Sequence, residues 1–301
     1  MTIDVSAHEL RAGDLRAVLL PQRGMLGASL QQRGEELLGR VEDIDTFAQQ
    51  GRTCGIPLLY PWANRLSGLQ YHAAEKNVAL DASSPLLHFD NGLPMHGVAW
   101  SQLAWQVTEA SETGLNARLD WTRAELLQVF PFPHHVEMRT ALDENGLTIE
   151  TTIHADASSA VPISFGFHPY LKIPGVARAQ WRVKFPAMTH LELDARQIPN
   201  GQTAPFAAFD DVLGERAFDD GFALDAERAQ FSVQSSARRI TVEFLNGYAF
   251  AQLYAPRDKD SIAIEPMTAP TNALISGKNL RVLNAGETFT ATFRIAVETF
   301  L

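Results

Sequence analysis

The feature that most constrains this chain is a hydrophobic period of two. At the C-terminal end Phe289, Ala291, Phe293, Ile295 and Val297 alternate with Thr288, Thr290, Thr292, Arg294 and Ala296. Successive side chains of a strand point to opposite faces, so the pattern buries one face and wets the other. Val136, Met138, Thr140 and Leu142 repeat it and run into Asp143-Glu144-Asn145-Gly146, from which Leu147, Ile149, Thr151 and Ile153 run out. Asn-Gly between alternating segments predicts a hairpin, because both residues tolerate positive φ. The same signal at Asn246-Gly247, between Ile240–Phe244 and Tyr248–Tyr254, predicts another. Further strands are expected at Leu15–Leu20, Gly27–Gln32, Trp105–Glu109, Leu115–Thr122 and Trp181–Phe185. Helical spacing is confined to Val41–Gln50 and Arg123–Val129.

An all-β protein follows, mainly antiparallel, with two large sheets face to face and few short helices. The 16 prolines are spread along the chain, and no linker or repeat divides it, so residues 1–301 read as a single domain. Hydrophobic residues at 46% and charged residues at 20% suit a globular core. The net charge of −10 argues against a nucleic-acid partner and against an anionic membrane surface. Cys54 is the only cysteine, so no intrachain disulfide can form. The N-terminal segment lacks the basic-then-apolar order of a signal peptide. No apolar run approaches the ~18 residues of a spanning helix. The expectation is a soluble, cytoplasmic protein.

Four segments stand out from plain strand and turn. Cys54–Gly68 embeds Arg65 among apolar residues between prolines and a glycine, which suits a rigid loop holding a guanidinium near a buried surface; a surface arginine beside a turn is the plainer alternative. Asn91–Trp100 carries His96 in a loop-like Pro-Met-His-Gly context. Phe165–Tyr170 and Ser261–Asn272 each place a titratable residue, His168 and Glu265, directly before a proline. A pre-proline residue is pushed toward extended geometry, and proline cannot continue a central ladder, so each is expected at the end of a strand. Glu265 shares its strand face with the small Ala263, which leaves room for a ligand; a solvent-facing glutamate is the alternative.

Histidine and glutamate together admit an acid–base pair, a metal set or part of a hydrolase triad. No short chelating spacing supports a metal, and His134-His135 would point to opposite faces of a strand, as a loop or surface pair. There is no Gly-x-Ser-x-Gly elbow, no phosphate loop and no dinucleotide fingerprint. Cys54 has only the neighbouring Arg52 to recommend it as a nucleophile.

In order along the chain these segments resemble the aldose 1-epimerase family, the galactose mutarotase-like proteins. Leu20–Gly24 with Ala28-Ser-Leu and Gly34–Leu38 is similar to the family's first strand pair. Pro61-Trp-Ala-Asn64-Arg65 resembles its Pro-x-x-Asn-Arg loop, His96-Gly97 its first histidine motif and Gly166-Phe-His168-Pro-Tyr170 its second. Phe218-Asp219-Asp220-Gly-Phe222 resembles the segment of a substrate-binding aspartate, with Asp219 the best match and Asp220 or Asp210-Asp211 as alternatives. Gln252 resembles a glutamine of the sugar site, and Ile264-Glu265-Pro266 the motif of the catalytic glutamate.

The resemblance implies a large antiparallel β-supersandwich that interconverts the α and β anomers of a free sugar. Glu265 and His168 would be the catalytic pair; Asn64, Arg65, His96, Asp219 and Gln252 would bind substrate. No metal or organic cofactor is implied, since only protons move. The partner would be a small sugar, a neutral hexose by preference, and the protein a monomer or homodimer. A non-catalytic sugar sensor on the same scaffold and a hexose-6-phosphate 1-epimerase are the alternatives. Tyr60, Trp62, Trp100, Phe167 and Tyr170 lie near the motifs and could stack on a sugar, though most are expected in the core.

Overall fold

The alternating segments build two large antiparallel sheets. A computed structural model describes residues 6–39, 41 and 43–300. The nine-stranded sheet runs, edge to edge, through Gln106–Ala110, Gly114–Trp121, His134–Asp143, Gly146–Ala155, Thr288–Thr299, Arg238–Asn246, Ala229–Gln234, Arg182–Phe185 and Phe209–Val212. The eight-stranded sheet runs through Pro199–Phe206, Met188–Leu193, Phe218–Leu224, Phe250–Ala255, Ile262–Met267, Gly166–Phe167 and Leu58–Leu59, with Tyr170–Leu171 also paired to Ile262–Met267. A four-stranded sheet from His8 to Glu36, two small hairpins and the pair of Val161–Ile163 with Arg281–Leu283 complete the described strands. The expected strands all form, within a residue or two of the expected bounds.

The inward rows of the two sheets meet in one core. Phe167 of the eight-stranded sheet packs 4.9 Å from Phe293 of the nine-stranded sheet, and Phe218 packs 5.5 Å from Phe185. Val136, Ile149, Phe293 and Val242 from one side join Ala251, Leu253, Ile262 and Ile264 from the other. Burying these side chains is the dominant favourable term for such a layered fold. The helices are brief: Ile44–Gln49, capped by Asp43 accepting from the Thr46 amide, then Ala124–Val129, and a third at Ala273–Ser276 that carries no sequence signal. Among the described residues no helix is long and apolar enough to cross a membrane.

Of the two Asn-Gly signals the first makes the expected hairpin and the second does not. The hairpin at Asp143–Gly146 forms, but Gly146 is a strand residue paired with Asp143 and Ala296 and is not in positive φ. Its lack of a side chain serves a close approach instead: a Cβ there would lie 2.3 Å from the Ile295 carbonyl oxygen. Asn246-Gly247 makes no hairpin. Arg238–Asn246 pairs within the nine-stranded sheet and Phe250–Ala255 within the eight-stranded one, so the chain changes sheets here. Gly247 takes the turn at φ +78°, and Tyr248 enters the core against Phe165, Phe244 and Phe293. Local pattern cannot distinguish a hairpin from a corner; the aromatic cluster between the sheets decides it.

His134 and His135 do face opposite ways, but in a strand and not in a loop. His134 is buried, bonded to the Tyr60 hydroxyl and the Phe132 carbonyl, whereas His135 sits on the outer face. Burial lowers the pKa of His134 to about 4, so it is a neutral core residue.

Candidate active site

A cavity of about 630 Å³ lies over the face of the eight-stranded sheet turned away from the core. Alternation places its floor. Ile262, Ile264 and Leu253 point into the core, so Glu265 and Gln252, which are direct cross-strand partners, point out of it. Asp219 joins them from the next strand. Asn64, Arg65, His96, His168, Asp219, Gln252 and Glu265 all line this one cavity.

Glu265 is not at a strand end. Its strand, Ile262–Met267, runs on through Pro266. The ladder tolerates the proline because the neighbouring strand is broken there: Gly166 pairs with Met267 and Tyr170 with Ala263, leaving no partner opposite Glu265 and Pro266 on that side. His168-Pro169 fills the break. Two prolines, each unable to donate to a ladder, thus open one gap, and the gap brings His168 Nε2 to 3.1 Å from Glu265 Oε1. Tyr170 stacks on the His168 ring at 4.1 Å and lies 3.2 Å from its Nε2 through the hydroxyl, itself bonded to Thr53.

The walls come from the Pro61–Arg65 loop and the hairpin of Leu87–Asp90 with Leu93–Val98. His96 belongs to the second hairpin strand and not to a loop. Asn64 and His96 both hold positive φ, 58° and 61°, a costly geometry for non-glycine residues that tends to mark functional sites. Gly97 follows at φ +69°, where a Cβ would lie 2.2 Å from the Tyr60 carbonyl oxygen. The two segments lock together: the His96 amide donates to the Asn64 carbonyl, and the Asn64 amide donates to His96 Nδ1. With Nδ1 accepting, the neutral His96 ring carries its proton on Nε2. Arg65 is buried; it donates to Asp90 at 2.5 Å and to Asn64, while its Nε has no partner. Asp219 accepts from Gln252 and from Gln197.

The alternatives for the aspartate separate by position. Asp220 points to the opposite face of the sheet and contacts His190. Asp210 and Asp211 belong to the nine-stranded sheet, where they pair with Arg182 and Arg216. Of the five aromatics near the motifs only Tyr170 lines the cavity; Tyr60, Trp62, Trp100 and Phe167 are in the core. Burial raises the Cys54 thiol pKa to about 11, which makes it a poor nucleophile. Sequence reasoning missed Asp90, the partner of Arg65, and Tyr254, which lines the cavity near His168. Asp90 precedes the Asn91-Gly92 turn, a signal for a hairpin but not for its ion pair.

Burial governs the electrostatics. Glu265 is 1% exposed, and desolvation, with the Asp219 charge adding to it, holds its carboxyl well above the usual carboxylate range against the opposing pull of Arg65. Desolvation lowers the pKa of His168 to about 3. It also lowers His96, with His168 and Arg65 adding to the effect. Burial therefore disfavours the charged form of both partners in the His168–Glu265 contact. Glu265 Oε2 is buried and accepts no hydrogen bond from the protein, so a ligand hydroxyl placed there would find an acceptor.

This architecture is that of the galactose mutarotase-like proteins. The family model for aldose 1-epimerase matches residues 7–296, and the chain belongs to that family. It is 22% identical to YihR of Escherichia coli K12 over 250 residues, which span 79% of this chain and 77% of YihR. Slr1438 from Synechocystis sp. PCC 6803 has the same fold, with a TM-score of 0.78, 24% identity and 100% of each chain covered. So has a galactose mutarotase-like protein from Clostridium acetobutylicum, with a TM-score of 0.82, 19% identity, and 100% of this chain and 98% of that one covered.

Proposed function

We propose that the protein interconverts the α and β anomers of a free aldose by opening and closing the sugar ring. The observation that carries this reading is the contact of His168 with Glu265 at the floor of a polar cavity. The anomeric hydroxyl and the ring oxygen are bonded to the same carbon. One adjacent acid and base can therefore serve both, which mutarotation requires.

In this reading the resting proton lies on Glu265, whose ionisation burial disfavours. A sugar hydroxyl that donates to this carboxyl favours its ionised form, as Arg65 already does. The proton then passes across the 3.1 Å contact to His168. Glu265 takes the proton of the anomeric hydroxyl as the C1–ring-oxygen bond breaks and C1=O forms. His168 delivers its proton to the departing ring oxygen. Rotation about C1–C2 and reversal of these steps give the other anomer, with the one shared proton restored. His96 Nε2 and the Asn64 and Arg65 side chains would hold the sugar from the wall, and Asp219 and Gln252 would bind its hydroxyls from the floor. All stand on or beside one sheet of a single layered pair, which supports reading the chain as one domain.

Polarimetry of freshly dissolved α-glucose and α-galactose tests the reading. Catalysed relaxation is expected. Saturable sugar binding with no rate enhancement would mean a sensor and end the enzymatic reading. Exhaustive dialysis against EDTA should leave the rate unchanged; full loss restored by a divalent ion would overturn a mechanism that moves only protons.

A further inference from the structure

The outer face of the nine-stranded sheet carries a second cluster of histidine and carboxylate, and none of its members lines the cavity. His135 and His154 are direct cross-strand partners. Their rings stack at 4.3 Å and 9°. Glu137 lies two residues beyond His135 and so shares its face. The Glu137 carboxylate stands 3.4 Å from His154 Nε2 and 3.9 Å from His135 Nε2. One ligand atom from each residue falls within 4.8 Å of the other two. His154 Nε2 is buried and forms no aligned hydrogen bond.

We propose that His135, Glu137 and His154 form a binding site for one borderline divalent transition-metal ion, such as Zn²⁺ or Ni²⁺. Two imidazoles and a carboxylate suit such ions, whereas Ca²⁺ and Mg²⁺ call for more oxygen ligands than this face offers. Metal bonds of about 2.0–2.2 Å draw the three atoms closer than they now stand, a change that side-chain torsions on an open sheet face supply. Both rings must be neutral to ligate a metal, so protons compete with the ion for this site. The flanking charged groups on this face include Arg118, opposite Glu137, Asp120, opposite His135, and Arg139, two residues beyond Glu137 and opposite Glu150. Arg118 and Asp120 bond to each other at 2.7 Å, so the Arg118 charge is balanced locally. The site stands apart from the mutarotase reading and does not rest on it.

Titration calorimetry with ZnCl₂ at pH 7.5 tests this on the full chain. One saturable site is expected, weakened at least tenfold by His135→Gln and by His154→Gln and to a lesser degree by Glu137→Gln. Binding should persist in His168→Asn, which separates it from the cavity. Lowering the pH to 5.5 should weaken it. Circular dichroism checks that the variants fold. In the wild-type chain, which needs no variant, the His135 and His154 ring resonances should shift together at one equivalent of Zn²⁺. Unchanged affinity in both histidine variants, loss in His168→Asn instead, or shifts confined to other histidines would each overturn the proposal.

Discussion

The eight-stranded sheet carries two histidine–carboxylate contacts of the same length: His168 with Glu265 and His190 with Asp220, each 3.1 Å. The side chains of the first pair are 7% and 2% exposed, and those of the second 28% and 36%. The first faces a cavity with Asp219 and Arg65 nearby; the second is on the opposite face of the sheet, beside Phe222. Water solvates and screens the exposed pair, so the contact is worth little and does little. Around the buried pair, desolvation penalises the charged form of each partner, which favours a neutral couple sharing one proton. Distance alone therefore does not make an acid–base pair; dry surroundings and an open side toward a ligand do.

The largest expected effect separates the two contacts. Glu265→Gln and His168→Asn should each lower kcat by ~10²-fold or more, the ordinary scale of general acid–base catalysis, with a smaller effect on sugar binding. His190→Asn and Asp220→Asn should stay within about twofold of the parent, as surface substitutions usually do. Polarimetric rates on the four variants decide the matter. Near-parental turnover in either of the first two, or a comparable loss in the second two, breaks the distinction.

The pH profile sharpens it. With ordinary values of about 4.3 for glutamate and 6.5 for histidine, an ionised Glu265 and a charged His168 would give a narrow bell, with Glu265 on the acid limb. Burial reverses the order. The active couple holds one proton. A second proton adds to His168, near its lowered value of about 3, so activity falls on the acid side only there. The single proton leaves Glu265 only above the usual carboxylate range, so the alkaline limb belongs to the glutamate. A broad plateau in kcat/KM is expected, unaffected by His190→Asn. A narrow bell between the two ordinary values would show that the buried couple titrates like free groups.

What was legible in the sequence follows the range of the interactions. Alternation names strands because it is local, and Phe289–Val297 duly lies at the centre of the nine-stranded sheet. The His-Pro and Glu-Pro dipeptides signal special backbone, but that Pro266 stays inside its strand depends on the break across from it, between Phe167 and Tyr170. Gly247 reads as a hairpin and is a corner between sheets, because its partners are aromatics distant in sequence. The Arg65–Asp90 pair joins two segments that no periodicity links. The choice of Asp219 over Asp220 is one of strand face, and a register shift of one residue would invert it.

That choice supplies a smaller effect. Asp219 accepts from Gln252 and Gln197, and its charge helps to hold the Glu265 pKa up. Asp219→Asn removes a charged acceptor, a change on the order of 1.5–3 kcal/mol for such bonds, so kcat/KM should fall about tenfold or more. The alkaline limb should also move to lower pH, since one of the charges opposing ionisation of Glu265 is gone. Asp220→Asn should do neither. A loss of activity in Asp219→Asn with the limb unmoved would mean that Asp219 acts through packing alone.

The smallest effect concerns substrate charge. The five motif segments hold one cation, Arg65, yet the folded cavity also receives Arg52, Lys172 and Lys259; Lys278 stays outside, near Gly201. These cations do not form a ready phosphate fork. Arg65 is committed to Asp90, and the Arg52 guanidinium lies 4.4 Å over the Phe47 ring. Asp90, Asp219 and Asp260 line the same space as the four cations, so even with Glu265 neutral the cavity has no strong excess of positive charge. A phosphate near pH 7 carries almost two negative charges and binds best to bidentate arginine or clustered donors. The overall charge of −10 adds a weak long-range repulsion, screened over ~8 Å at physiological salt. Neutral hexoses should therefore surpass glucose 6-phosphate in kcat/KM by several-fold at equal ionic strength. Lys172→Met should leave glucose turnover close to parental. A clear preference for the phosphate, abolished by Lys172→Met or Lys259→Met, would mean that the rim lysines act as the fork that Arg65 and Arg52 do not provide.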